Sequence, residues 1–258
     1  MEDGLASSRL SGKVAIVTGA AHGIGAAIAR SFVAEGAHVA LADIADAALG
    51  TLAGELGPQA APVHCDVSSG DDVLATVKFT VETFGGLDVV VNNAATGSSS
   101  MLVDMRQKEW ERAFAIGVGG VFHTIRHATP VMRERGGGAF VNISSAAGRR
   151  AARGMAAYSA AKASVEALTR CAALELREDG IRVNAIVPGM IRTGAAQGNS
   201  EFLGQAVGME LAEYVAKHQG RWGEPAEVAA VAVHLASAEA AFTTGHMYVL
   251  DNGATTQL

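Results

Sequence analysis

Tyr158 and Lys162 stand four residues apart in the stretch GMAAYSAAKASVEALTR (residues 154–170), among side chains that are mostly small. On a helix that spacing puts a phenol and an ammonium on one stripe, one turn apart. A phenol with its ordinary pKa of ~10 is a poor base in neutral water. A cation a few ångströms away favours the phenolate and lowers that value. The ring oxygen can then give or take a proton at an alcohol or carbonyl oxygen. Taken alone, a Tyr-x-x-x-Lys pair is common. It also describes an interface tyrosine beside a lysine stretched along apolar surface.

Ser144 and Ser145 end the run GGAFVNISS, shortly before the Tyr158 helix. A hydroxyl there could hold the reacting oxygen while a nicotinamide handles the hydride. A dinucleotide also needs a phosphate cradle, and TGAAHGIG at residues 18–25 suits one. Gly19, Gly23 and Gly25 let the backbone turn sharply and come close to a pyrophosphate, whose charge the following helix start favours. The spacing GxxxGxG differs from the commonest GxGxxG fingerprint, and glycine also serves packing in strand–helix turns. Its position directly after the first strand favours the nucleotide reading.

Asp43 ends the second strand, eighteen residues beyond Gly25. Its carboxylate can accept both hydroxyls of an adenosine ribose. It would repel a 2′-phosphate: at an effective dielectric of ~20 and ~6 Å, a charge of about −2 costs roughly 5 kcal/mol before screening. That favours NAD over NADP. His22 could greet a phosphate if cationic, but histidine is mostly neutral near pH 7. Asp66 follows the third strand, and Asn92 and Asn93 the fourth, at the edge where open α/β sheets bind ligands. Each alone also suits a turn or cap.

The elements that must position these residues alternate. KVAIVTG, AHVALAD, APVHCDV, LDVVVNN, GGAFVNISS, GIRVNAIVP and HMYVLDNG read as strands, the runs being apolar enough for burial on both faces. Helical spacing recurs between them, in GIGAAIARSFVAEG, DAALGTLAGEL, DDVLATVKFTVETFG, residues 104–135, the Tyr158 helix to about Arg177, and EPAEVAAVAVHLAS. Pro130 suggests a kink. This order predicts an α/β fold: a doubly wound parallel sheet of about seven strands with helices on both faces, in a single domain over 1–258. Residues 193–221 are irregular, which suggests a substrate loop or lid. There Phe202, Leu203, Met209, Leu211 and Tyr214 suit closure over an apolar ring or chain, or ordinary helix packing. Met155 and residues 95–99 are placed at the pocket.

Of 258 residues 49% are hydrophobic and 18% charged, a globular composition. A net charge of −6 gives no footprint for nucleic acid. No uninterrupted apolar run approaches ~18 residues, so no membrane span is expected. MEDGLASSRL lacks a basic region followed by an apolar run, so no secretory signal is read and a cytoplasmic location is expected. Cys65 and Cys171 lack CxxC spacing and read as reduced, buried thiols; no metal site is indicated.

Taken in order, TGAAHGIG, CDV, NNAA, NISS, YSAAK, RVNAIVPGMIRT and GRWGEPAEVA…TTGHMYVLDNG make the chain resemble the short-chain dehydrogenase/reductase family over nearly its full length. The resemblance implies a Rossmann-like fold, with Tyr158 as catalytic acid/base. Lys162 would bind the nicotinamide ribose and lower the Tyr158 pKa. Ser145, thirteen residues before Tyr158, would orient the substrate. The same resemblance assigns cofactor contacts to Gly19, His22, Gly23, Ile24 and Gly25, to Asp43 and Ile44, and to Asp66 and Val67 at the adenine. Asn93 would touch the cofactor through its backbone, and Pro188, Gly189, Ile191 and Thr193 would frame the nicotinamide amide. It further implies a homotetramer acting on a small-molecule alcohol or ketone with NAD.

Two positions depart from the family. Gly117 replaces an asparagine linked to a proton relay, and the helix is expected to bend differently there. Ala95 stands in a glycine's place. Two other readings stay open at this level: an NADPH-dependent ketone reductase, and a dinucleotide-binding protein without turnover.

Overall fold

Seven short runs rich in Val, Ile and Ala pair into one sheet in the computed structural model of the protein, which describes residues 8–97 and 100–256. They are β1 (Val14–Thr18), β2 (His38–Asp43), β3 (Ala60–His64), β4 (Val89–Asn92), β5 (Gly138–Ile143), β6 (Ile181–Pro188) and β7 (Met247–Leu250). Every pairing is parallel, in the order β3-β2-β1-β4-β5-β6-β7. The order reverses between β1 and β4, so the loops that leave these two strands part in opposite directions. That opens a crevice at their carboxyl ends.

Parallel strands need long crossovers, and helices provide them. Helices α1 (Gly23–Ala34), α2 (Asp46–Leu56) and α3 (Gly70–Phe84) join the first four strands. Then come α4 (Gln107–Phe114), α5 (Gly120–Glu134) and α6 (Ala156–Leu176). After β6 lie α7 (Gly194–Gly198), α8 (Ser200–Val207), α9 (Leu211–His218) and α10 (Pro225–Ala236). The sheet separates two apolar clusters. One packs Ile28, Phe32, Leu49 and Leu235 of α1, α2 and α10; the other packs Val77, Met132 and Leu176 of α3, α5 and α6 around Phe140. Each such side chain contributes about 1.5–3 kcal/mol on burial. The expected doubly wound sheet with helices on both faces is present.

The structure differs from the sequence reading in four places. The segment read as one helix from 104 to 135 begins at Gln107, and a π-helical turn, Ala115–Gly119, divides it into α4 and α5. The irregularity falls on the glycines, not on Pro130, which lies inside α5. A Cβ on Gly120 would meet Val67 Cγ2 at 2.9 Å, so the backbone there approaches the sheet edge too closely for a side chain. Residues 193–221 hold three short helices, α7 to α9, where an irregular loop was read. Of the two thiols only Cys65 is buried; Cys171 is exposed, because its turn of α6 buries Ala172 and Ala173 instead. The opening stretch read for a secretory signal falls, at residues 1–7, outside the described residues, as do Ser98 and Ser99 of the 95–99 loop. Among the described residues no helix is long and apolar enough to cross a membrane.

Candidate active site

The turn between β1 and α1 is built around missing side chains. Gly19 and Gly23 adopt φ of 62° and 56°, a region costly for residues with a Cβ. A methyl on Gly25 would overlap the Gly19 carbonyl oxygen. Asn93 braces the turn: its Nδ2 donates to the Thr18 and Gly19 carbonyls, both at 3.0 Å. The Thr18 hydroxyl accepts in return from Asn93 N at 3.0 Å and Ala94 N at 3.2 Å. His22 precedes α1 and makes no side-chain cap, and among the described residues no side chain occupies the first-turn N–H groups of α1. A close-set backbone turn at an uncapped helix start fits a pyrophosphate.

Asp43 sits at the end of β2, beside that turn. Its Oδ2 accepts from Ala21 N at 3.1 Å, and its Oδ1 from Ile44 N and Ala45 N at 2.8 and 3.1 Å. The carboxylate thus shapes the glycine turn as well as facing the crevice edge, and Ile44 next to it is exposed. Asp66 makes a local turn, its Oδ1 accepting from Ser68 N and Oγ at 2.9 and 2.7 Å, which holds its carboxyl below the usual range. Val67 is buried against Gly120. Ile24 packs partly buried against the α1 core.

Across the crevice, β5 ends in Ile143 and the chain passes through Ser144 and Ser145 into a 3₁₀ turn, Ala146–Gly148. Gly148 lets that turn lie flush on α6, since a Cβ there would stand 3.1 Å from the Lys162 carbonyl carbon. Ser144 is taken up by packing: its hydroxyl donates to the Lys162 carbonyl at 3.1 Å, and also lies 3.2 Å from Glu166 Oε1. Arg149 binds the same Glu166 carboxylate through Nε and Nη2 at 3.1 to 3.2 Å. Ser145 is left facing Tyr158. Its hydroxyl accepts from Ala147 N at 3.1 Å and lies close enough to the phenol to favour the phenolate.

Lys162 is 4% exposed, donates from Nζ to the Ile143 carbonyl at 2.6 Å, and lies 5.7 Å from the centre of the Tyr158 ring. Burial acts on both groups. It pushes the Tyr158 phenol above its ordinary range, and the Ser145 hydroxyl offsets only part of that. Burial also brings the Lys162 ammonium from 10.5 down to about 8, which leaves it mostly charged near pH 7.

The strand β6 ends in Pro188, and Gly189 N donates to the Leu250 carbonyl at 3.0 Å. Ile191 is buried and bridges to Gly223; Thr193 caps α7, and its Cγ2 lies 3.3 Å from where a Cβ on Gly23 would be. The turn after β6 therefore closes over the glycine turn. Phe202 of α8 stands against Gly154, just before α6, at 3.1 Å from a Cβ placed there. Leu211 is buried and the Tyr214 ring lies tilted against His218, so these two serve packing. Gly117 is buried in the π turn with Ala161 at 3.4 Å from its Cβ position.

One buried polar chain was missed by the sequence reading. Thr124 Oγ1 donates to Asn92 Oδ1, Asn92 Nδ2 to Asn142 Oδ1, and Asn142 Nδ2 to Thr169 Oγ1, each at 2.8 Å. It ties α5, β4, β5 and α6 in register behind the site, so the Asn92 side chain is structural. The signal in the sequence was asparagine at equivalent places in VVVNN and FVNIS, inside otherwise apolar strands.

A family model described as enoyl-(acyl carrier protein) reductase matches residues 19–255. The chain is 40% identical over 247 residues to a 3-alpha-(or 20-beta)-hydroxysteroid dehydrogenase of Mycobacterium tuberculosis, covering 96% of this chain and 91% of that one. It is 38% identical over 251 residues to a galactitol 2-dehydrogenase of Agrobacterium fabrum, covering 95% and 98%. The crystal structure of a short-chain type dehydrogenase/reductase from Mycobacterium marinum superposes with a TM-score of 0.89 at 32% identity, covering 97% of this chain and 98% of that one. Sheet order and matches together define an oxidoreductase with a Rossmann-like fold. The chain belongs to the short-chain dehydrogenase/reductase family.

Proposed function

We propose that the protein is an NAD-dependent oxidoreductase that interconverts a secondary alcohol and its ketone. Tyr158 serves as general acid/base, Ser145 orients the substrate oxygen, and Lys162 supplies the neighbouring positive charge. The observation that carries this reading is the Tyr158 ring 5.7 Å from the buried Lys162 ammonium, with the Ser145 hydroxyl on the phenol side, at the carboxyl edge of the sheet. A nicotinamide held there would supply the hydride chemistry, accepting hydride from the alcohol carbon or giving it to the ketone carbon. In ketone reduction the Tyr158 phenol gives its proton to the substrate oxygen, and in oxidation the Tyr158 phenolate receives one. Burial keeps the phenol protonated, which readies it as the acid. The Ser145 hydroxyl donates to the same oxygen and fixes its approach.

Gly19, His22, Gly23, Ile24 and Gly25 would hold the pyrophosphate, with Asp66 and Val67 at the adenine, Asn93 touching the cofactor through its backbone, and Pro188, Gly189, Ile191 and Thr193 at the nicotinamide. Residues 193–221 act as the lid, with Phe202 nearest the catalytic loop. The steroid and sugar-alcohol relatives differ in substrate bulk, so a panel spanning both is the direct screen. Exposed Phe122, Leu174, Phe242 and Tyr248 offer apolar surface for assembly into a homotetramer, and a cytoplasmic setting fits the chemistry.

Tyr158→Phe tests the core of the proposal. Turnover should fall about 10²- to 10⁴-fold, while NADH affinity by calorimetry stays near wild type. Retained turnover removes the assigned acid. Cofactor choice is tested by titrating NADH against NADPH: Asp43 should make NADH the tighter ligand, and Asp43→Asn should narrow the gap. Tighter NADPH binding by the wild type would reverse the assignment.

A further inference from the structure

Gln219 lies outside every motif quoted above, yet its side chain is 4% exposed and fully engaged. Its Oε1 accepts from Met190 N at 2.8 Å, and its Nε2 donates to the Met190 carbonyl and the Arg221 carbonyl, both at 2.9 Å. One amide thus pairs both main-chain groups of Met190, in the turn that leaves β6. Such a turn has lost its ladder partners, and buried main-chain groups need replacements. Gly223 N adds a second donor to the Met190 carbonyl at 2.9 Å.

The main chain of Gln219 is fixed from two further sides. Its N–H closes α9 by donating to the Val215 carbonyl at 2.9 Å. Its carbonyl accepts from Asn252 Nδ2 at 2.7 Å, in the turn beyond β7. Gly189 has no room for a side chain, because Gln219 Oε1 already occupies its Cβ position and Asp251 Cβ stands 2.9 Å from it. One residue therefore joins the last lid helix, the 188–193 turn and the segment after β7.

We infer that Gln219 is a positioning residue that sets the 188–193 turn at the height needed to receive the nicotinamide amide and couples that turn to the lid. The inference rests on the nicotinamide lying at that turn, as proposed above. An aliphatic side chain of similar volume could fill the same space. What the amide adds is three directed hydrogen bonds, and directed bonds fix position where packing alone permits slippage.

The test compares NADH with ADP-ribose, which lacks only the nicotinamide, on the full-length protein by calorimetry, with thermal unfolding in parallel. Gln219→Leu should weaken NADH about tenfold, lower kcat, and leave ADP-ribose within about twofold. Gln219→Glu replaces the donor with an oxygen facing two carbonyls. It should show the same selective loss, with recovery toward wild type at acid pH, where the protonated carboxyl can donate; Gln219→Leu should not recover. If the leucine variant does not fold, the glutamate variant carries the same comparison. Equal weakening of both ligands, or of neither, overturns the role given to Gln219. A wild type that binds neither ligand overturns the dinucleotide reading itself, and this inference with it.

Discussion

Lys162 concentrates the conflict between stability and chemistry in one side chain. Its pKa of about 8 in the folded chain lies below its ordinary 10.5. Between those values the unfolded state binds a proton that the folded state does not, so stability rises with pH across that window. The cost of burying the ammonium is complete below pH 8. Substituting Lys162→Met removes the titration. Urea unfolding at pH 7 and pH 10 should show the wild type gaining about 2–3 kcal/mol on the variant between the two. An unchanged difference would mean that the lysine is not desolvated as the structure has it. Ser144 and Ser145 divide their work just as locally. One is spent on Glu166 and the Lys162 carbonyl, and the other is held at the phenol. Two adjacent serines look alike in a sequence; the extended backbone turns them to opposite sides.

Among the elements, the β1–α1 turn is the most tightly determined. In an ordinary helix Gly→Ala gains roughly 1 kcal/mol. At Gly25 the added methyl would overlap the Gly19 carbonyl oxygen, with Asn93 Nδ2 at 2.6 Å from the same Cβ. Neither neighbour can retreat without giving up the turn, so the clash decides the sign. Gly25→Ala should cost about 2–3 kcal/mol in denaturant unfolding and abolish dinucleotide binding. A variant that binds NADH normally would show that the turn has slack the structure lacks. The glycine spacing was legible because it combines turn and helix start in eight residues. The role of Asn93 as its brace was not, because it lies seventy-four residues from Gly19 and reaches it only through β1–β4 pairing. The π turn at Gly117 was half legible. Missing side chains announced a weak helix, but the close approach to Val67 and Ala161 that selects that form is a tertiary contact.

At the scale of the whole molecule, two apolar clusters on opposite faces of one sheet give a rigid platform, with function gathered at one edge of it. Exposed Phe122, Leu174, Phe242 and Tyr248 lie on α5, α6 and the segments around β7. Sedimentation should give a particle of four 26.3 kDa chains, and Phe242→Lys should shift it to smaller species by placing a charge in an apolar contact. A monomeric wild type would sink the assembly.

The sequence by itself determined the order of the seven strands and the main crossover helices, the glycine turn, Asp43 at a strand end, and the Tyr158–Lys162 stripe. Those features rest on local periodicity and local backbone freedom, which neighbouring residues carry. Only the tertiary structure decided that Ser144 is taken up by Glu166 and the Lys162 carbonyl, that burial works against the phenolate, and that Asn142 and Gln219 hold distant segments in place. Burial and long-range hydrogen bonds depend on what lies across the sheet, and no window of neighbouring residues contains that.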